Sequence, residues 1–197
     1  MVAIGSLPFE FTWQPEPVSF EAGETSLRAE AGARTDLFVD PGSDAEHLNA
    51  PRLLGHVAGD FTLAARIGVD FRSTFDAGVL LLYAHERAWA KLCFELSPEG
   101  KPTVVSVVTR GFSDDCNSST TDRNEVWLRI ARLGTAFAFH ASADGVRWEL
   151  VRHFALTTEL ELQVGFLVQS PLGQGCTARF DEISFAPVRL EDIRSGA

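Results

Sequence analysis

Ala88–Leu96 reads AWAKLCFEL, and its two parities differ in chemistry. Side chains alternate faces along a strand, so Ala88, Ala90, Leu92, Phe94 and Leu96 predict one face, turned to a core. Trp89, Lys91, Cys93 and Glu95 share the opposite face, where an aromatic ring, a cation and a carboxylate suit a polar ligand. The same alternation extends outward in both directions. Strands are predicted at Asp60–Phe71, Ala77–Ala84, Thr103–Thr109, Glu125–Leu133, Thr135–Ser142, Trp148–Phe154, Leu160–Ser170 and Thr177–Ala186. Further upstream, Leu7–Trp13 alternates until Pro15 and Pro17 break it, which predicts an edge strand. Short runs at Ser26–Ala31 and Thr35–Val39 precede an irregular segment, Ser43–Arg52.

The connectors carry turn chemistry. Pro98-Glu99-Gly100, Leu133-Gly134 and Asp144-Gly145 predict antiparallel hairpins. No segment sustains a helical period, although Arg189–Arg194 is expected to form one helical turn. Roughly a dozen strands in one open sheet would leave an apolar face uncovered, so the pattern calls for two packed sheets. The expected architecture is an all-β, two-sheet antiparallel sandwich over residues 1–187, followed by a short tail, 188–197.

Composition agrees with a packed domain: 45% of the 197 residues are hydrophobic, with 15 Phe and 4 Trp. A formal net charge of −10 argues against nucleic acid and anionic membrane as partners, because both are bound through Lys and Arg. MVAIGSLPFEF at the start has neither the basic residues nor the apolar run of a secretory signal, so a cytoplasmic location is expected. Cys93, Cys116 and Cys176 are odd in number and lack CxxC spacing, which speaks against a disulfide framework or a zinc site. Asp40, Asp44 and Glu46 miss the calcium-loop spacing and read as a solvated loop; no metal or cofactor is expected.

Several short motifs occur in a shared order. They are Asn49-Ala50-Pro51, Gly59-Asp60-Phe61, Asp76-Ala77-Gly78, Trp89-Ala90-Lys91 with Glu95, Ser106-Val107-Val108-Thr109-Arg110, Ser113-Asp114-Asp115, Ser142-Ala143-Asp144-Gly145-Val146-Arg147-Trp148 and Gln169-Ser170-Pro171. This order resembles a family named for a yeast regulator of enolase, a domain of unknown function. The resemblance implies the concanavalin A-like lectin/glucanase jelly roll. It also implies likeness to bacterial proteins encoded near sugar-degradation genes and to a fungal protein linked to enolase regulation. Where that family often has an aromatic after Thr-Asp, this chain has Thr35-Asp36-Leu37.

The candidate site grows from Trp89, Lys91 and Glu95, with Tyr83 brought beside Trp89 across the His85-Glu86-Arg87 turn. Sugar C–H faces stack on aromatic rings while their hydroxyls bond charged side chains, which is the chemistry of this set. The plainer alternative is a solvated sheet face with a Lys–Glu pair. Ser106, Thr109, Arg110, Ser113, Asp114 and Asp115 run from a strand into a loop expected either to close one end of the face or to form a salt-bridged turn. Trp127, Arg129 and His140 are expected to extend the same face, His140 alternatively being a hydrogen-bonded structural residue, and Gln169 ends a strand beside it. The Ser142–Trp148 hairpin and Asp181 read as structural.

Catalysis finds less support. A glycosidase needs two carboxylates about 5–5.5 Å or about 6.5–9.5 Å apart, and no Glu-x-Asp-x-Glu strand supplies them. Elimination needs a cation and a base, types that Arg129, His140, Tyr83 and Lys91 provide, but the Gln-Ile-His signature of sandwich lyases is missing. No Gly-x-Ser-x-Gly elbow occurs. The expectation is therefore binding of an oligosaccharide or sugar-derived small molecule on a concave face, without catalysis. The alternatives are a polysaccharide lyase or glycoside hydrolase on that face, and a regulatory protein whose partner is a metabolic enzyme.

Overall fold

Alternating β-branched and aromatic residues, punctuated by glycine turns, form strands along nearly the whole chain in the computed structural model, which describes residues 1–156 and 161–197. Among the described residues the strands are Thr12–Trp13 (β1), Ser19–Ala22 (β2), Leu27–Glu30 (β3), Leu37–Val39 (β4), Glu46–Leu48 (β5), Arg52–His56 (β6), Phe61–Val69 (β7) and Ala77–His85 (β8). They continue as Ala88–Leu96 (β9), Pro102–Arg110 (β10), Phe112–Thr120 (β11), Glu125–Leu133 (β12), Ala136–Ser142 (β13), Glu149–Ala155 (β14), Gln163–Gln169 (β15) and Thr177–Ala186 (β16). One seven-stranded antiparallel sheet has the order β1-β6-β15-β8-β9-β10-β11 and a second the order β14-β13-β12-β7-β16-β3-β2. The hairpin β4–β5 stands apart as a two-stranded sheet.

The two large sheets pack face to face as a jelly-roll sandwich. Ala88, Ala90, Leu92 and Phe94 of β9 face the second sheet, as their parity requires, and Val126, Leu128, Phe166 and Phe180 join them in the core. Phe166 of the first sheet meets Phe180 of the second with ring centroids 5.0 Å apart. Gly78 marks the tightest approach: a Cβ there would lie 2.7 Å from Ile67 Cγ2 and 3.0 Å from Ala178 Cβ, which explains the glycine of the Asp76-Ala77-Gly78 motif.

Several local expectations change. The segment after Arg110 is not an open loop: chain reversal at Gly111 (φ 84°) returns it as β11, paired with β10 from Arg110↔Phe112 to Thr103↔Thr120. FSDDCNSST has no hydrophobic alternation because β11 is an exposed edge strand, so periodicity could not reveal it. Ser43–Arg52 likewise contains β5 and leads into β6, and β2 (SFEA) is a four-residue strand exposed along its whole length. The strand expected from Leu160 begins at Gln163; Leu160 lies outside the described residues. The single turn expected at Arg189–Arg194 lies later in the tail, where Gly196 N–H donates to Asp192 O, four residues back, at 2.9 Å. The Asp144-Gly145 hairpin forms as expected, with Ser142 Oγ accepting from Gly145 N–H at 2.9 Å and Asp144 Oδ1 accepting from Arg147 N–H at 2.8 Å.

Candidate functional site

The outer face of the first sheet carries the second parity of β9, and the register sets its neighbours in rows. Tyr83, Trp89, Thr109 and Ser113 stand in one row, Leu81, Lys91, Val107 and Asp115 in another, and Ala77, Glu95 and Thr103 in a third. Much of this face is covered. Leu37 and Ala50 join Trp89, Cys93, Val105, Val107 and Leu167 in a second apolar cluster, with Phe38 and Leu48 packed against it. Trp89 is consequently 0% exposed, a wall of a second core and not an open stacking platform.

Polar bonds fasten the β4–β5 hairpin to the sheet. Val39 N–H donates to Ser113 Oγ at 2.9 Å, and Ser113 Oγ shares a 3.0 Å hydrogen bond with Thr109 Oγ1. Arg52 donates to Leu48 O at 3.1 Å, and Arg87 pairs with Glu46. Asn49 accepts from Asp36 N–H at 2.9 Å and donates to Arg34 O at 3.0 Å, a structural role for the Asn49-Ala50-Pro51 motif.

Where the hairpin ends, a cavity of about 160 Å³ remains, lined by Asp36, Phe38, Phe75, Lys91, Glu95, Val105, Val107, Asp115, Gln169 and Pro171. Lys91 is 2% exposed; its Nζ donates to Gln169 Oε1 at 3.1 Å and lies 3.7 Å from Asp36 Oδ1. A buried ammonium is tolerable only with such partners. Glu95 is half-buried, and desolvation pushes its carboxyl up to about 7; Lys91 pulls it down, while Asp36 and Asp115 push it further up. Cys93, beneath them, is fully buried, and desolvation drives its thiol far above the ordinary range, so it serves as packing.

The rim at Phe75 is built by a buried carboxylate. Asp76 Oδ2 accepts from Arg72 N–H at 2.9 Å and Ser73 N–H at 2.8 Å, while Asp76 Oδ1 accepts from Ser170 Oγ at 2.6 Å. This turn holds Phe75 at φ 69°, a left-handed conformation unusual for an aromatic residue, with its N–H donating to Leu96 O at 2.8 Å. Gln169 Nε2 donates to Phe75 O at 3.4 Å, so one side chain links the aromatic rim to Lys91.

Of the residues expected at the site, Lys91, Glu95, Asp115 and Gln169 meet at this cavity. The others do not line it. Tyr83 is buried under the Arg52 guanidinium, 4.8 Å from its ring centroid. Thr109 and Ser113 anchor the hairpin, Ser106 has the parity of the intersheet core, and Arg110 is exposed at the end of β10. Asp114 has the opposite parity from Asp115 and pairs at 3.0 Å with Arg152 of the second sheet.

Trp127, Arg129 and His140 belong to the second sheet and do not extend the same face. The tail crosses Arg129 and His140: Arg129 Nη2 donates to Gly196 O at 2.8 Å and its guanidinium sits 4.2 Å from the Trp148 ring centroid, while His140 Nε2 bonds Ile193 O at 2.7 Å. Trp127 packs against Gly145, where an added Cβ would lie 2.8 Å from its ring. Asp36, Phe38, Phe75 and Pro171 were not among the expected site residues, although Asp36 and Pro171 fall in quoted motifs. Phe38 supplies an aromatic one residue after the Leu37 at which this chain departs from the family pattern.

No match was found among curated proteins. A functionally unknown protein from Saccharomyces cerevisiae superposes with a TM-score of 0.83 at 23% identity, over 90% of this chain and 96% of that one. The carbohydrate-binding module CBM66 from Bacillus subtilis superposes with a TM-score of 0.59 at 14% identity, over 90% and 96% respectively. A GH43 protein of a Bacteroides ovatus xyloglucan PUL gives a TM-score of 0.72 at 16% identity, but this chain spans only 38% of it. At these identities the likeness is one of fold. Residues 13–188, which run through both sheets and the covering hairpin, match the family described as protein of unknown function (DUF1349), and the chain belongs to that family.

Proposed function

We propose that the protein binds a carbohydrate or sugar-derived metabolite in the cavity around Lys91, and that it holds one sugar ring. The observation that carries this reading is the gathering at one cavity of a bonded trio (Lys91, Gln169, Asp36), two further carboxylates (Glu95, Asp115), two aromatic residues, Phe38 and Phe75, and the apolar Val105 and Val107. Directional polar groups and aromatic walls around one small space are what a ring with hydroxyl edges and C–H faces requires. A volume of about 160 Å³ is below the roughly 300–1,000 Å³ of pockets for larger ligands, which favours a single terminal unit over a long chain segment. The carbohydrate-binding module and GH43 neighbours support the same ligand class.

Elimination chemistry draws less support than the residue types alone suggested, since Lys91 and Tyr83 lie on the outer side of one sheet while Arg129 and His140 lie under the tail on the other. Titration calorimetry against a panel of monosaccharides and short oligosaccharides tests binding. Phe75→Ala is expected to weaken the best ligand by about tenfold, from loss of an aromatic contact of about 1–1.5 kcal/mol, and Arg110→Ala to leave it unchanged. If no sugar gives heat at millimolar concentration, the reading fails. A stoichiometric complex with a metabolic enzyme would then favour the regulatory role.

A further inference from the structure

We infer that the cavity selects a sugar bearing a protonated amine over its neutral counterpart, and rejects the counterpart bearing a carboxylate. This rests on the sugar-binding reading above. The charges around the cavity are unequal: Asp36, Glu95 and Asp115 stand against Lys91. Lys91 is already committed, lying 3.7 Å from Asp36 and hydrogen-bonded to Gln169 at 3.1 Å. Among the described residues no cation pairs with Glu95 or Asp115 in the same way. Two carboxylates are left to meet the ligand, one half-buried inside and one exposed at the mouth.

The surroundings of Glu95 suit an ammonium. Phe75 and Glu95 line the same cavity, and the Phe75 backbone is fastened to Leu96 O, next to Glu95 in the chain, at 2.8 Å; an aromatic ring and a carboxylate on one cavity attract a cation by quadrupole and by Coulomb's law together. The rise of the Glu95 carboxyl to about 7 is the behaviour of a desolvated acid whose nearby charges, Asp36 and Asp115 against Lys91, do not supply enough positive field. A bound ammonium would supply it, and Glu95 would then release its proton on binding.

The experiment compares three forms of each ring, neutral hexose, 2-amino-2-deoxyhexose and hexuronate, in the gluco, galacto and manno configurations. Affinities are measured by calorimetry at pH 7 and low salt, for wild type, Glu95→Gln and Asp115→Asn. In the binding configuration the amino sugar should bind about tenfold tighter than the neutral sugar, as expected for one charge-assisted contact, and the uronate weaker than both. Added salt should shrink the amine preference. Glu95→Gln should bring the amine and neutral affinities together, whereas Arg110→Ala, outside the cavity, should leave both affinities and the preference unchanged. Neutral and amino sugars of equal affinity, a uronate that binds best, or a preference that survives Glu95→Gln would each overturn the inference while leaving sugar binding in place. Silence from all nine ligands would instead remove the sugar-binding reading itself.

Discussion

A carboxyl held over an apolar floor resists ionisation, and Glu95 turns that resistance into a pH dependence of stability. Its carboxyl titrates near 4.5 in the unfolded chain and near 7 in the fold, chiefly through desolvation. Below 4.5 it is protonated in both states and costs nothing. As pH rises through the interval the unfolded chain gives up the proton first, so stability falls and the loss is complete above 7, at most about 3 kcal/mol. Urea unfolding of wild type and Glu95→Gln should therefore show the variant gaining relative stability between pH 4.5 and pH 8; a difference that stays constant with pH would disprove the account. Strand parity alone put Glu95 and Lys91 on one face. It could not show that Lys91 would be buried against Asp36 and Gln169, because those partners are 55 and 78 residues away in the chain.

Two short elements decide which residues of each outer face remain open. The β4–β5 hairpin seals Trp89 from solvent and leaves the cavity at its end. On the other sheet the tail packs Leu190 against Ala131 and Ala138, with Ile193 beside them, and covers Arg129 and His140. Burial there holds His140 down to about 4, opposed by its bond to Ile193 O and reinforced by Arg129. For a group whose folded value is depressed, stability is full above its unfolded value of 6.5 and is lost as pH falls through 4. Removing residues 190–197 should restore solvent to His140 and move its titration upward toward 6.5, a change that histidine proton shifts in NMR would resolve. A His140 that still titrates near 4 without the tail would mean that the sheet itself supplies the desolvation. Neither cover was legible beforehand, since β5 (EHL) and the tail lack the long alternation that reveals a strand.

Across the whole molecule, the separation of the sheets is set by close contacts such as Gly78 of β8 against Ile67 and Ala178 of the opposite sheet. Gly78→Ala has to push β8 away from β7 and β16 and should cost about 1–3 kcal/mol by urea denaturation, the usual price of overpacking. Unchanged stability would show that the sheets yield freely at this point. The sandwich itself was written in the chain. The two-residue alternation of AWAKLCFEL and its neighbours, with the glycine turns between them, determined strands, hairpins, two packed sheets and the buried positions of Leu92 and Phe94. Alternation is local, because the pleat turns each side chain to a face whatever lies beyond it. What lies beyond each face was decided only by tertiary structure. A hairpin over Trp89, a tail over His140, an edge strand that sends Asp114 and Asp115 to opposite sides, and a cavity walled by Phe38 and Phe75 all depend on contacts between segments distant in the chain, which no local period encodes.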